Sequence, residues 1–167
     1  MPPLNIYLIR HGIAVDRHEN IDDFERSLTP EGTKKVHDIA HKLHKLGLKF
    51  DLLQTSPLIR ARQTAEIFAQ TFNTSLEISE LLAPGDNFKN WLRWLLTWQE
   101  QGHTSLGIVG HEPDLSTWAE LLVFGDVQGS IVLKKAGIIG ITIPEAGLPI
   151  GNSLLFLLLP PKLLSNH

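Results

Sequence analysis

Leu4-Asn5-Ile6-Tyr7-Leu8-Ile9-Arg10-His11-Gly12 is a strand-length apolar run that stops at a guanidinium, an imidazole and a glycine. Its Ile, Leu and Tyr content over Leu4 to Ile9 reads as a buried strand. In open α/β sheets, ligands bind outside the carboxyl ends of the strands, so the Arg10-His11 pair falls where a site is expected. The pattern recurs downstream. Ser105 to Val109 is a second apolar strand, and it runs into Gly110-His111-Glu112-Pro113. Between them, Asp51 to Gln54 is a short strand, and Ser56-Pro57-Leu58-Ile59-Arg60 opens a helix with Arg60 in its first turn.

The remaining segments alternate in the same way. A polar loop covers Asp16 to Arg26. Thr29-Pro30-Glu31 is a helix start, with Thr as N-cap, Pro at the first helical position and an acid in the first turn. That helix extends to about Leu46, ahead of Gly47, with Val36, Ile39, Ala40, Leu43 and Leu46 at helical spacing. The helix opening at Ser56-Pro57 reaches Phe72, and Leu76 to Ile78 is a third strand. Helices follow at Phe88 to Glu100 and Pro113 to Phe124. Gly137 to Ile143 and Ser153 to Leu159 form an antiparallel hairpin around a Pro/Gly-rich loop. The order implies a three-layer α/β/α sandwich whose central sheet is mostly parallel with an antiparallel edge.

Composition bounds the rest. With 167 residues, residues 1–167 are expected to form one domain. There is no cysteine, which removes disulfides, a thiolate nucleophile and thiolate metal sites. A net charge of −3 argues against general nucleic-acid binding. No apolar run approaches a membrane span, and Met1-Pro2-Pro3-Leu4 lacks the basic and apolar regions of a secretory signal. A soluble cytoplasmic protein is the expectation.

Two histidines and two arginines thus converge at one edge of the sheet. Paired guanidiniums match phosphoryl oxygens with forked hydrogen bonds. A helix N-terminus near Pro57 adds N–H donors. A neutral imidazole is a competent nucleophile toward phosphorus, and positive side chains can stabilise the transfer without a metal or other cofactor.

Arg10-His11-Gly12, Ser56-Pro57-x-x-Arg60-Ala61-x-Gln63-Thr64 and Gly110-His111-x-Pro113, in this order, resemble the histidine phosphatase superfamily in its phosphoglycerate mutase-like branch. Arg26-x-Leu28-Thr29-x-x-Gly32 is similar to the small SixA-type phosphohistidine phosphatases within it. The resemblance implies that His11 is the phosphorylated nucleophile, that Arg10 and Arg60 hold the phosphoryl oxygens, and that His111 contacts the transferring group. Arg26 would line the entrance. One ring nitrogen of His11 is expected to donate to a backbone carbonyl, which frees the other for attack. The family's general acid corresponds to either Glu80 or Asp86. Ile13, Ala14 and Arg17 replace the residues that mutases show after the triplet, which disfavours a mutase.

The implied reaction is removal of phosphate from phosphohistidine on a protein, such as a histidine-phosphotransfer domain. The alternatives are a small-molecule phosphomonoesterase with the same pocket and a phosphoprotein-binding module without turnover. A monomer is expected, with no nucleic-acid or membrane partner. Several residues carry a plainer reading. His37, His41 and His44 share a helix face among Lys35, Lys42 and Lys45 and read as a solvated face. Arg62 reads as a surface arginine. Trp91, Trp94 and Trp98 read as core, with a border of the site or a partner surface as the alternative, and Trp118 reads as core. Leu154 to Leu159 reads as a strand buried on both faces. Lys162 to His167 reads as a mobile tail.

Overall fold

The computed structural model describes residues 3–164. Strands β1 (Leu4–Arg10), β2 (Leu52–Thr55), β3 (Leu76–Ile78), β4 (Ser105–Gly110), β5 (Ile138–Ile143) and β6 (Leu154–Leu159) form one sheet in the order β3-β2-β4-β1-β5-β6. β1 pairs in parallel with β4 and antiparallel with β5, and β2 pairs in parallel with both β3 and β4. The antiparallel β5–β6 pair closes one side.

Helices α1 (Pro30–Lys45), α2 (Ile59–Phe72), α3 (Phe88–Glu100) and α4 (Asp114–Phe124) cover the sheet. The alternation of β1 explains the layering. Tyr7 and Ile9 point to a core shared with Val36, Ile39, Ala61 and Phe68 of α1 and α2. Ile6 and Leu8 point to the opposite core, with Trp91 and Leu95 of α3 and Leu115, Trp118 and Leu122 of α4. Each large side chain removed from water there contributes about 1.5–3 kcal/mol, so both helical layers are held by the same central strands. Trp91 and Trp118 stack at 4.8 Å in the second core, and Trp98 is buried there too.

Local chemistry sets the element ends. Thr29 Oγ1 accepts from Gly32 N–H at 2.9 Å to cap α1, with Pro30 in its first turn. Asn73 ends α2 in the left-handed region at φ 52°. Helix α2 begins at Ile59 rather than at Ser56-Pro57, because Ser56 Oγ takes the Leu58 N–H at 3.2 Å in a tight bend.

Two expectations fail. β6 is the edge strand, not a strand buried on both faces: Leu154 is 67% and Phe156 46% exposed. An apolar run shows that a strand forms but not how many neighbours cover it. Phe156 still crosses over Gly140, where a Cβ would come within 2.7 Å of its ring, and packs edge-on against Tyr7 at 5.8 Å. The segment after Pro160 is also not loose as far as Leu164. Pro161–Leu163 form a 3-10 turn and Leu164 enters the α1/α2 core, while residues 165–167 lie outside the described residues.

Candidate active site

β1 and β4 lie side by side, so the residues that follow them meet. His11 N–H donates to the Gly110 carbonyl at 3.2 Å, and the rings of His11 and His111 stand 5.3 Å apart. His11, Arg60 and His111 are all buried, at 6%, 3% and 4% exposure. With Arg10, Arg17, Arg26, Glu112 and Lys135 they line a pocket of about 250 Å³. A pocket carrying this many cations on an acidic protein focuses a local positive potential.

The hydrogen bonds assign the tautomer of His11. His11 Nδ1–H donates to the Gly12 carbonyl at 2.7 Å, which leaves Nε2 unprotonated. Arg60 Nε–H donates to that Nε2 at 3.4 Å. His111 Nε2 and Ser56 Oγ share a hydrogen bond of 2.7 Å. His111 Nδ1 and Arg10 Nε are buried without a partner. The orphaned Arg10 Nε–H, on a residue lining a cationic pocket, is a donor that an anion's oxygen would satisfy.

Burial, more than any charge, pushes His11 down to about 4; Arg60, Arg10 and Lys135 push the same way, against its bond to the Gly12 carbonyl. Burial likewise takes His111 to about 3, helped by His11, Arg60 and Arg10 and opposed by Asp23. Both rings are therefore neutral at neutral pH.

The Ser56-to-Thr64 motif does more than deliver Arg60. Buried Thr64 Oγ1 accepts from Gly12 N–H at 3.1 Å and donates to the Arg60 carbonyl at 2.8 Å, tying the His11 loop to α2. Gln63 Oε1 accepts from Leu28 N–H at 2.7 Å and anchors the segment before α1. Arg10 Nη1 donates to the Leu133 carbonyl at 2.9 Å.

Sequence reasoning missed Asp23. It lies in a 3-10 turn within the polar loop and holds the arginines: Arg26 Nε donates to Oδ1 at 2.8 Å, and Arg60 donates to its carbonyl at 2.8 Å and to Oδ2 at 3.4 Å. Its slight burial raises its pKa, but the Arg26 hydrogen bond and the charges of Arg60, Arg26 and Arg17 outweigh that and hold it below its usual value. The only signal was its i,i+3 spacing to Arg26. Arg26 lines the pocket, whereas Glu80 and Asp86 are exposed and do not line it. Glu112, beside His111, is the carboxylate found there; its Oε1 accepts from Ser116 N–H at 2.8 Å. Arg62, Trp91, Trp94 and Trp98 are not lining residues. His37, His41 and His44 are exposed, and no three potential ligands gather as a metal site among the described residues.

Residues 6–102 match the family model of the histidine phosphatase superfamily (branch 1). The chain belongs to this superfamily. Membership and the pocket together make it a phosphatase. It is 41% identical to an uncharacterized protein of Picosynechococcus sp., over 95% of this chain and 98% of that one. The protein histidine phosphatase SixA, solved with tungstate, superposes with a TM-score of 0.85 at 22% identity, over 97% of this chain and all of that one. The α-ribazole phosphatase of Shigella flexneri superposes at 0.69 and 19% identity, over 93% of this chain and 96% of that one. Histidine phosphatases of different substrates thus share this fold. No helix among the described residues is long and apolar enough to cross a membrane.

Proposed function

We propose that the protein hydrolyses phosphohistidine on a partner protein through a phospho-His11 intermediate, without a metal. The observation that carries this reading is the unprotonated Nε2 of buried His11, presented beside Arg60 in a pocket where Arg10 Nε and His111 Nδ1 lack partners. The His11 lone pair attacks phosphorus, the P–N bond of the substrate breaks, and the departing imidazole keeps the electron pair and takes a proton. Water then attacks phospho-His11, releasing inorganic phosphate and regenerating the neutral ring. Arg10, Arg60 and His111 act on the equatorial oxygens, where charge stabilisation does most of the work.

A nitrogen leaving group accepts its proton before or during bond breaking, so it does not need a strong acid. An alkoxide does. Glu80 and Asp86 do not line the pocket, and Glu112 has one oxygen engaged by the start of α4, which favours the phosphoramidate over an alkyl ester. The likeness to SixA, described as a protein histidine phosphatase, points the same way. The pocket reaches the surface at exposed Arg17 and Lys135, which suits a side chain presented by a protein.

The test is turnover, with EDTA present, of a phosphorylated histidine-phosphotransfer domain against p-nitrophenyl phosphate, wild type beside His11→Ala. Rapid His11-dependent loss of phosphohistidine with slow aryl phosphate hydrolysis is expected. A preference for small esters would move the substrate class, and substantial turnover by His11→Ala would remove the covalent intermediate.

A further inference from the structure

We propose that a second, larger cleft beside the phosphate pocket docks an acidic polypeptide segment flanking the phosphorylated residue of the substrate. The inference rests on the phosphohistidine-protein reading above and extends it from the phosphoryl group to the chain that carries it. The cleft has a volume of about 780 Å³ and is lined by Ile13, Ala136, Pro160 and Pro161, with Lys35, Lys134, Lys135 and Lys162 around it. Arg10 and Lys135 line both this cleft and the phosphate pocket, so the two are one continuous surface with a shared wall.

The chemistry of the lining specifies the occupant. A phosphoryl group fills only the small pocket, whereas a cleft of several hundred Å³ is the size that takes a ligand of many atoms. Proline and aliphatic side chains offer apolar contact, and the amines call for carboxylates. Lys134, Lys135 and Lys162 are exposed and have no carboxylate partner among the described residues. Lys35 alone is paired, with Glu31 at 3.3 Å. Among the described residues no acidic side chain lines the cleft, although acids outnumber lysine and arginine in the chain, 18 to 15. Such a concentration of one sign in a concave surface attracts a partner of the opposite sign and fixes its register.

The cleft is also coupled to the catalytic loop through the backbone. Ala136 N–H donates to the carbonyls of Arg10 and His11, each at 3.1 Å, and Arg10 N–H donates to the Gly137 carbonyl at 3.1 Å. Ala136 is held at φ 63°, a left-handed conformation that a residue with a Cβ adopts only when its surroundings impose it. This turn sets Lys134 and Lys135 against the residues that carry Arg10 and His11. A chain bound along the lysines is therefore held in a fixed relation to the phosphoryl acceptor.

The experiment compares kcat/KM for a phosphohistidine peptide with Asp and Glu flanks against the same peptide with Asn and Gln flanks. Phosphoramidate serves as the small reference. Lys134 and Lys162 line the cleft and not the phosphate pocket, so the Lys134→Glu/Lys162→Glu double variant is measured beside the wild type. The wild type is expected to prefer the acidic peptide by about tenfold or more, through KM, and to lose that preference at high salt as the screening length falls from about 10 Å at 0.1 M to about 3 Å at 1 M. The double variant is expected to reverse the preference while turning over phosphoramidate as the wild type does. Lys134→Gln/Lys162→Gln replaces it if charge reversal prevents folding, with loss of the preference as the expected result. Equal kcat/KM for both peptides, or a preference that survives in the variants, overturns the cleft and leaves the phosphohistidine reading intact. A lysine-dependent preference for a small polyanionic phosphate over either peptide overturns the polypeptide occupant. Failure to hydrolyse any phosphohistidine, with aryl phosphate still turned over through His11, removes the underlying reading and the cleft proposal with it.

Discussion

Acidification should leave His11, the proposed nucleophile, working well below the pH at which an ordinary histidine fails. With His11 at about 4, roughly 3% of its rings are protonated at pH 5.5, against about 90% for a histidine at 6.5. Corrected for substrate ionisation, kcat/KM should therefore change little between pH 7.5 and 5.5 and reach half its value near pH 4, because this parameter reports the free enzyme. Stability follows with a defined sign. The folded values lie below the unfolded one, so the unfolded chain binds more protons between pH 6.5 and about 4 for His11, and down to about 3 for His111. Stability present above pH 6.5 is then lost as the pH falls through this window. By pH 4.5 the two sites together cost about 5 kcal/mol, from about 1.36 kcal/mol for each unit of separation. The assay is NMR titration of the histidine rings, with urea midpoints at pH 7.5 and 4.5 for the wild type and for His11→Gln/His111→Gln. Half-protonation of His11 between pH 6 and 7 would refute the argument. So would a double variant whose stability falls as steeply with acid as that of the wild type.

Arg60→Ala should lower kcat/KM by about 10²–10³, the usual loss when a preorganised donor to the transition state is removed, and an effect under about fivefold in steady-state kinetics would exclude that role. Thr64→Val removes the acceptor of the Gly12 N–H and should cost about 1–3 kcal/mol in urea unfolding together with a fall in kcat, since the His11 loop loses its tie to α2. Gly32→Ala would bring a Cβ to 2.1 Å from the Ile13 carbonyl oxygen, against backbone rather than a movable side chain. It should lower the thermal midpoint, with about 1–3 kcal/mol of destabilisation and reduced activity; a midpoint equal to that of the wild type would show that the loop gives way freely.

The reach of the sequence differs between elements. The strands and helices were legible because their signals are local: the apolar run at Leu4 to Ile9, the Thr29-Pro30 cap and the Ser56-Pro57 opening ahead of α2 each depend on neighbours within a few positions. β6 shows where local signals stop. Leu154 to Leu159 forms the strand expected of it, but its burial depends on being last in the order β3-β2-β4-β1-β5-β6, which no property of the run itself records. Leu164 is the same case in reverse, a residue near the chain end that finds a place in the core.

For the site, the sequence by itself determined the reactive residue types and their placement after strands: Arg10-His11 behind β1, Arg60 at the start of α2 and His111 behind β4. That follows because strand ends and helix starts are local, and parallel strands bring their carboxyl ends together. Only the tertiary structure decided which loop residues join them. Asp23 reaches Arg60 across 37 positions, Lys135 enters from the turn before β5, and Glu112 rather than Glu80 or Asp86 faces the pocket. It also decided the tautomer of His11 and the neutral state of both imidazoles, because burial and the Gly12 hydrogen bond exist only once the sheet has assembled. The packed sheet buries His11 and sets cations around it, and these two effects, neither of which acts in the unfolded chain, are what keep its imidazole neutral well below the pH at which an ordinary histidine protonates.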